Sequence, residues 1–161
     1  MNDTPASKLI LTSSLGKELT DKECETLATA MTVHRLKNDE LLIKKDESDD
    51  SLFLLACGEL AVVKQDDGGE ENVVYLMKEG ECAGTRAFVD RTPRKATLQA
   101  KGDTTVYAMK PDDFESLLEK HPKIVYKVMR AIFRITHTNL MRMNQETAQL
   151  SNYINKTGGR Y

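Results

Sequence analysis

The chain has 161 residues, of which 40% are hydrophobic and 30% are charged, and its formal net charge is −2. This composition is typical of one folded domain with its own core and excludes a disordered chain. The near-neutral charge gives no basic surface for nucleic acid. No apolar run approaches the ~20 residues that span a bilayer, and the N-terminus lacks a secretion signal, so we expect a cytoplasmic protein without membrane contact.

The chain begins with an arm and a short helix. Residues 1–17 are polar around Leu9-Ile10-Leu11, which predicts a flexible N-terminal arm with one apolar docking point. Thr20-Asp21-Lys22-Glu23 is a capping box, in which a hydroxyl and a carboxylate satisfy each other's backbone donors. Apolar residues follow at helical spacing, so residues 20–30 are predicted to form an amphipathic helix.

Seven short apolar or alternating runs come next, separated by residues that favour turns. The runs are residues 32–37, 40–44, 51–56, 59–65, 72–78, 95–100 and 104–109. Strands at this spacing predict an antiparallel sandwich or a small barrel. Asp67-Gly68-Gly69 is the clearest hairpin turn, and we also predict turns at Cys57-Gly58 and Lys101-Gly102-Asp103.

Two helices follow the strands. Pro111 opens the first, and Phe114, Leu117 and Leu118 are predicted to share its apolar face. The second begins at Pro122 and is predicted to run to about residue 154 without an internal Gly or Pro.

The second helix carries two apolar stripes. One suits packing against the strands and consists of Val125, Val128, Ile132 and Ile135. The other has heptad spacing and consists of Tyr126, Met129, Phe133, Thr136, Leu140, Met143, Thr147, Leu150 and Ile154. A helix of ~33 residues spans about 50 Å, which is longer than a domain of this size covers. We therefore predict a parallel homodimer along this helix; the alternative is a helix that packs only on its own domain.

Residues 80–97 carry the chemistry of the chain. Gly80 and Gly84 flank a turn whose exposed backbone N–H groups favour an anion. Arg94 follows Pro93 and adds a planar, charged group that suits phosphate. The residues predict a phosphate site, against two alternatives: an ordinary turn, and an exposed Arg in a surface ion pair.

The same stretch resembles the phosphate-binding cassette of the cyclic nucleotide-binding domain family, which includes catabolite activator proteins and regulatory subunits of cAMP-dependent protein kinase. The matching positions are Gly80, Gly84, Ala87, Pro93, Arg94, Ala96 and Thr97. Residues 49–55 and Gly58-Glu59-Leu60 also follow the family pattern, and the resemblance covers residues 18 to 140.

The resemblance implies an α+β fold that is mainly β. We expect an antiparallel double-stranded β-helix (a β-roll or jelly roll), flanked by an N-terminal helix and a long C-terminal helix. The expected boundaries are the flexible arm at 1–17, the cyclic nucleotide-binding-like β-roll at 18–121, the dimerisation helix at 122–155 and a tail at 156–161.

The resemblance also implies roles for particular residues. The ligand's phosphate would be bound by Arg94, Gly84, Thr85, Arg86, Ala87 and Lys95. Thr85 stands where the family has the Glu that binds the ribose 2′-hydroxyl, so the cassette is degenerate and the ribose contact is weakened. Asn139 falls where dimeric members place a polar residue against the purine; its alternatives are a solvent-facing side chain and a polar register device in the dimer seam.

From these features we predict a non-catalytic sensor or regulatory domain that binds cAMP or cGMP and acts on an effector protein that the sequence does not identify. His34, His121 and His137 are scattered, which argues against a metal centre. The three cysteines are widely spaced, which predicts reduced, buried thiols. DNA-binding members carry a helix-turn-helix after the long helix and this chain does not, so we expect a stand-alone domain or a fragment. The alternative function is a dimerising interaction domain with a vestigial pocket.

Overall fold

Six strands and five helices lie within residues 3–158, which are the residues that the computed structural model describes. The helices are α1 (Ser7–Leu11), α2 (Asp21–Ala28), α3 (Thr85–Asp90), α4 (Pro111–Glu115) and α5 (Pro122–Gly158). The strands are β1 (Thr32–Leu36), β2 (Leu41–Ile43), β3 (Leu52–Gln65), β4 (Glu71–Met77), β5 (Cys82–Ala83) and β6 (Thr97–Met109).

Every strand pair in this part of the chain is antiparallel. The sheet order is β1-β6-β3-β4, with β2 paired to β6 and β5 paired to β3. The Asp67-Gly68-Gly69 turn joins β3 to β4 in register Gln65↔Glu71, so the predicted hairpin is confirmed. The antiparallel roll with flanking helices is confirmed as well.

Two of the predicted turns are wrong. Cys57-Gly58 lies inside β3, and residues 101–103 lie inside β6, so four predicted strands are two long ones. Gly58 has φ +90°, and the pairing of β3 with β6 shifts register on either side of Cys57. A Cβ at Gly58 would lie 2.5 Å from the Asp103 carbonyl oxygen. The glycine therefore bends a paired strand where the backbones come close, rather than reversing the chain.

The first half of β3 is buried on both faces. Successive side chains of a strand point to opposite faces, and here Leu52 and Leu54 pack among the helices whereas Phe53 and Leu55 fill the interior of the roll. A continuous apolar run at this point is the sequence signature of such a strand. β3 thus separates the two cores and brings residues 49–53 next to the cassette.

The N-terminal segment is part of the core. Residues 7–11 form α1, Ile10 is fully buried, and Leu15 is nearly so. The expectation of a flexible arm at 1–17 does not describe residues 7–17, because the apolar docking point holds this segment against α2 and β6; residues 1–2 lie outside the described part. The capping box is confirmed, since Glu23 N–H donates to Thr20 Oγ1 and Thr20 N–H donates to the Glu23 carboxylate.

The long helix shows the two predicted stripes. Val125, Val128 and Ile132 are buried against the roll, whereas Phe133 and Leu150 are 72% and 60% exposed. The helix continues through residue 158, so the first half of the expected tail is helical, and residues 159–161 lie outside the described part. Leu118, expected on the apolar face of α4, is exposed. Across residues 3–158, no helix is both long and apolar enough to cross a membrane.

Candidate functional site

Arg94 is a buried residue. It is 5% exposed, its Nη2 donates to Asp49 Oδ1 at 3.3 Å and to the Ser51 carbonyl oxygen, and its Cζ lies 4.9 Å from the centre of the Phe53 ring. The alternative of an exposed Arg in a surface ion pair is therefore wrong. The residues at the start of β3 form the wall against which the guanidinium lies.

The guanidinium of Arg94 is only partly satisfied. Its Nε and Nη1 are buried and have no hydrogen-bond partner in the described structure. Burial lowers the pKa of Arg94, and the Asp49 carboxylate opposes that effect. A buried cation with unused donors is costly to a fold unless a further acceptor binds there. This site is prepared for an anion.

Asp49 is a functional neighbour that the sequence analysis did not single out. Burial raises the pKa of this carboxyl, but hydrogen bonds from Ser51 and Arg94 outweigh burial and hold it below the ordinary Asp value. The Ser51 N–H donates to Asp49 Oδ1 at 2.8 Å. Asp49 is thus an ionised partner for Arg94 in the ligand-free protein. Its signals in the sequence were its position just before a buried strand and its place at the start of residues 49–55, which follow the family pattern.

Gly84 places the cassette turn directly against Arg94. Its φ is +83°, and a Cβ built on it would lie 2.2 Å from Arg94 Nη1. The first hydrogen bond of α3 runs from Phe88 N–H to the Gly84 carbonyl oxygen at 3.0 Å. The amides of Thr85, Arg86 and Ala87 precede that bond and have no acceptor within the helix. An unpartnered nitrogen and a turn of free amides therefore meet at Gly84.

The other predicted phosphate residues differ in exposure. Ala87 is buried and Thr85 is half-buried, whereas the side chains of Arg86 and Lys95 are exposed. Arg86 Nε lies 3.9 Å from Asp90 Oδ2 on the same helix. The geometry brings Gly84, the residue before the amides of α3, to Arg94 and leaves the Arg86 and Lys95 side chains exposed.

We predict that Gly84→Ala destabilises the protein more than Gly69→Ala, as measured by urea denaturation. Both glycines have positive φ, so each substitution incurs about 1 kcal/mol of backbone strain. A Cβ at Gly69 meets nothing within 4 Å, whereas one at Gly84 collides with Arg94. Overpacking should lower the free energy of unfolding of Gly84→Ala by a further amount of about 1–3 kcal/mol. Equal losses in the two variants would show that Arg94 does not lie against Gly84.

A cavity of about 510 Å³ lies between α5 and the β4–β5 side of the roll. Asn139 is half-buried and lines it. The cavity has an apolar wall made of Val62, Val74, Met77, Ala83 and Ile135. Arg94 and Thr85 do not line it, but Ala83 adjoins Gly84 in sequence. The cavity and the cassette are therefore neighbouring compartments.

A direct contact joins the cassette to α5. Thr136 Oγ1 lies 3.4 Å from Thr85 Oγ1 and donates its own proton to the Ile132 carbonyl oxygen at 2.9 Å, so the Thr85 hydroxyl is the donor between the two. Thr136 lies three residues before Asn139, so both side chains share one face of the helix. The residue at which the family pattern breaks thus contacts the helix that lines the cavity.

Sequence reasoning also missed Tyr75 and Arg142. The Arg142 Cζ lies 3.9 Å from the centre of the Tyr75 ring, and the Tyr75 hydroxyl donates to the Glu81 carboxylate at 2.8 Å. Arg142 is three residues beyond Asn139 and therefore shares its helix face, which is the one signal that could have found it. Residues 3–158 hold no group of three or more His, Cys, Asp or Glu side chains arranged for a metal ion.

The sequence profile of the cyclic nucleotide-binding domain family matches residues 33–121, more than half of the chain, and the chain therefore belongs to that family. The match spans β1 to α4 and includes the cassette, Arg94 and the β3 wall behind it. The recognition made from the cassette is confirmed.

Curated relatives resemble this chain over part of their own length. The cAMP-dependent protein kinase regulatory subunit of Yarrowia lipolytica is 33% identical over 101 residues, covering 63% of this chain and 26% of that protein. The cAMP-activated global transcriptional regulator CRP of Salmonella typhimurium is 25% identical over 121 residues, covering 74% of this chain and 58% of that protein. Lysophospholipase NTE1 of Mycosarcoma maydis is 29% identical, covering 69% of this chain and 6% of that enzyme. The chain thus spans less than two thirds of the length of each relative.

Solved structures share the fold. A cyclic nucleotide-binding domain from Methylobacillus flagellatus superposes with a TM-score of 0.83 at 21% identity, covering 91% of this chain and 86% of the other. The catabolite activator protein of Thermus thermophilus superposes with a TM-score of 0.76 at 22% identity, covering 86% of this chain and 63% of the other. The expected β-roll with flanking helices is the fold of these proteins.

Proposed function

We propose that this chain is a non-catalytic regulatory domain that binds a cyclic nucleotide, cAMP or cGMP. The observation that carries the proposal is the buried Arg94, whose Nε and Nη1 lack acceptors beside the cassette turn. A cyclic phosphodiester has one negative charge and oxygen acceptors, which suit one guanidinium and a few amides. Two relatives, the kinase regulatory subunit and the transcriptional regulator, are named for cAMP.

The proposed ligand spans both compartments of the site. Its phosphate lies at Arg94 and the amides of residues 84–87, with Lys95 adding its amide or its charge. The ribose lies at Thr85, which can make only a neutral hydrogen bond. The base extends into the cavity towards Asn139, whose amide has both donors and an acceptor for a purine edge.

The proposed output passes through α5. The ligand orders the cassette, the Thr85–Thr136 contact transmits the change, and α5 moves. The exposed heptad stripe of α5 supports a parallel homodimer as the acting species, in the cytoplasm and with an effector protein as its target. We propose no catalysis and no nucleic-acid or membrane contact for this chain.

Calorimetric titration of the wild-type protein with cAMP, cGMP and non-cyclic 5′-AMP tests the proposal. We expect saturable 1:1 binding of a cyclic nucleotide and weaker binding of 5′-AMP, whose dianion exceeds the charge of the site. A ligand at 100 times its Kd should also stabilise the fold by ~2.7 kcal/mol. Absence of binding by either cyclic nucleotide at millimolar concentration would overturn the proposal.

Two observations favour the alternative, a dimerising interaction domain with a vestigial pocket. Thr85 replaces the family's ribose-binding Glu, and Asp49 already neutralises Arg94 without any ligand. Restoring the missing carboxylate separates the two functions, because only an otherwise intact pocket can respond to it.

We predict that Thr85→Glu tightens cAMP binding about 5- to 30-fold, from a charge-assisted hydrogen bond worth about 1–2 kcal/mol after desolvation. Arg94 and Arg86 lie on the same cassette and would offset the new negative charge. Calorimetry with 2′-deoxy-cAMP is the control, since this analogue lacks the partner hydroxyl and should lose most of the gain. A folded Thr85→Glu protein that binds no cAMP at millimolar concentration would favour the vestigial pocket.

A further inference from the structure

Three side chains connect α5 to the sheet at the far end of the cavity. The Arg142 guanidinium lies 3.9 Å from the centre of the Tyr75 ring, on the edge strand β4. The Tyr75 hydroxyl donates to both Glu81 carboxylate oxygens, at 2.8 and 3.0 Å. Glu81 also accepts from the Lys78 N–H. The tyrosine ring is therefore held in place by the roll, and the helix supplies the group that covers it.

Arg142 is the last residue of α5 whose side chain is partly buried. Between Ile135 and residue 157 no α5 side chain is buried, and only Asn139 and Arg142 are half-buried. Every residue from 143 to 157 is exposed in the single chain. The stack on Tyr75 is therefore a side-chain contact that ties the start of the exposed half of the helix to the roll.

Among residues 3–158, Tyr75 is also the one aromatic residue in the wall of the cavity that Asn139 lines. Stacked planar groups lie about 3.5–4.0 Å apart, so a base placed between Arg142 and Tyr75 would need a gap of ~7–8 Å. The observed separation is 3.9 Å. A base can therefore stack on this face of Tyr75 only if Arg142 leaves it.

We infer that the Tyr75 ring is the stacking surface for the base of the ligand, and that Arg142 is a latch which covers this surface until a base displaces it. The inference rests on the proposed function for the ligand's identity; the latch itself rests only on the contacts above. Displacement would release the distal half of α5 from the roll.

The released guanidinium has a second partner on its own helix. Arg142 Nε lies 4.0 Å from Glu146 Oε1, one turn along α5. This exposed i,i+4 pair is present while Arg142 covers Tyr75, and it is weak. It would leave the guanidinium with a charged neighbour after a base displaces it from the ring.

The chain suits ¹⁹F NMR as a test, since it contains five Tyr and no Trp. In protein labelled with 3-fluorotyrosine, the Tyr75 signal is identified by its loss in Tyr75→Phe. Without ligand, Arg142→Ala should shift that signal. The matched control is Arg130→Ala, because Arg130 covers Tyr126 within α5 and does not reach the sheet; it should shift the Tyr126 signal and leave Tyr75 unchanged.

Calorimetry with cAMP provides the second readout. Arg142→Ala should bind cAMP about 2- to 5-fold more tightly than the wild type, because the base no longer has to displace a cation–π contact before it binds. Arg142→Lys keeps the charge but not the planar group, so its affinity for cAMP should lie between those of the wild type and Arg142→Ala. Tyr75→Leu should weaken binding by at least about 5-fold, through loss of stacking. Saturating cAMP should shift the Tyr75 signal of the wild type.

Each opposite result is decisive. A Tyr75 signal unaffected by Arg142→Ala would show that the latch does not form. Weaker cAMP binding by Arg142→Ala would make Arg142 a ligand contact rather than a latch, and bound cAMP that leaves the Tyr75 signal in place would put the base elsewhere. If the wild type binds no nucleotide, the proposed function and the stacking role fail together, while the ligand-free Tyr75 shift still decides whether the latch exists.

Discussion

Replacement of Arg94 by Met is expected to abolish cyclic nucleotide binding and to leave the ligand-free protein at least as stable as the wild type. Removing one member of a buried, hydrogen-bonded charge pair weakens a complex by about 2–5 kcal/mol, so the affinity for cyclic nucleotide should fall at least ~30-fold. Calorimetry measures the loss of binding, and urea denaturation measures the stability.

The stability of Arg94→Met follows from the same contacts. Arg94 is buried with two unused donors, and a well-packed apolar side chain in such a place is often neutral or stabilising, by about 1–4 kcal/mol. Asp49 is not stranded by the change, because its side chain is 42% exposed and keeps the Ser51 N–H. We therefore expect Arg94 to serve ligand binding rather than the stability of the fold.

Lys95→Met is the matched control. Lys95 is exposed and lies one residue after Arg94, so this substitution also removes one positive charge but not a buried one. It should change the affinity for cAMP by less than about 5-fold, in line with a partly screened surface charge. Retained binding by Arg94→Met, or an equal loss in Lys95→Met, would remove Arg94 from the centre of the site. Strong destabilisation of ligand-free Arg94→Met would instead assign it a structural role.

The double substitution Leu140→Glu and Leu150→Glu is expected to convert a dimer into a monomer. These side chains are 54% and 60% exposed in the single chain and lie in the heptad stripe. In a parallel coiled coil, four carboxylates would enter a desolvated seam, which should weaken association by at least ~100-fold. Sedimentation equilibrium at micromolar concentration measures this; Leu140 and Leu150 do not line the cavity, so binding by each subunit should persist.

Gln145→Glu with Asn152→Glu provides the control for the dimer. Both positions are exposed and fall on the face of α5 opposite the heptad stripe, so the same two charges are added to the same helix without entering the seam. The control should remain dimeric. A monomeric wild type, or equal dissociation of the two double variants, would favour a helix that serves its own domain alone.

The sequence by itself determined the features whose causes are local. The Thr20–Glu23 capping box, the Asp67-Gly68-Gly69 hairpin and the two stripes of α5 each depend on neighbouring residues or a fixed period, and all three are present in the structure. The cassette was recognisable for the same reason, because its turn and Arg94 lie within one short stretch.

Only the tertiary structure decided which distant groups meet. Cys57-Gly58 has the composition of a turn, and it bends a strand instead because β6 lies alongside it. Asp49 meets Arg94 across 45 positions and Thr136 meets Thr85 across 51, and no local pattern encodes such pairs. The same holds for Arg142 on Tyr75: helix periodicity puts Arg142 on the face of Asn139, but only the packing of α5 on the roll sets which ring it covers.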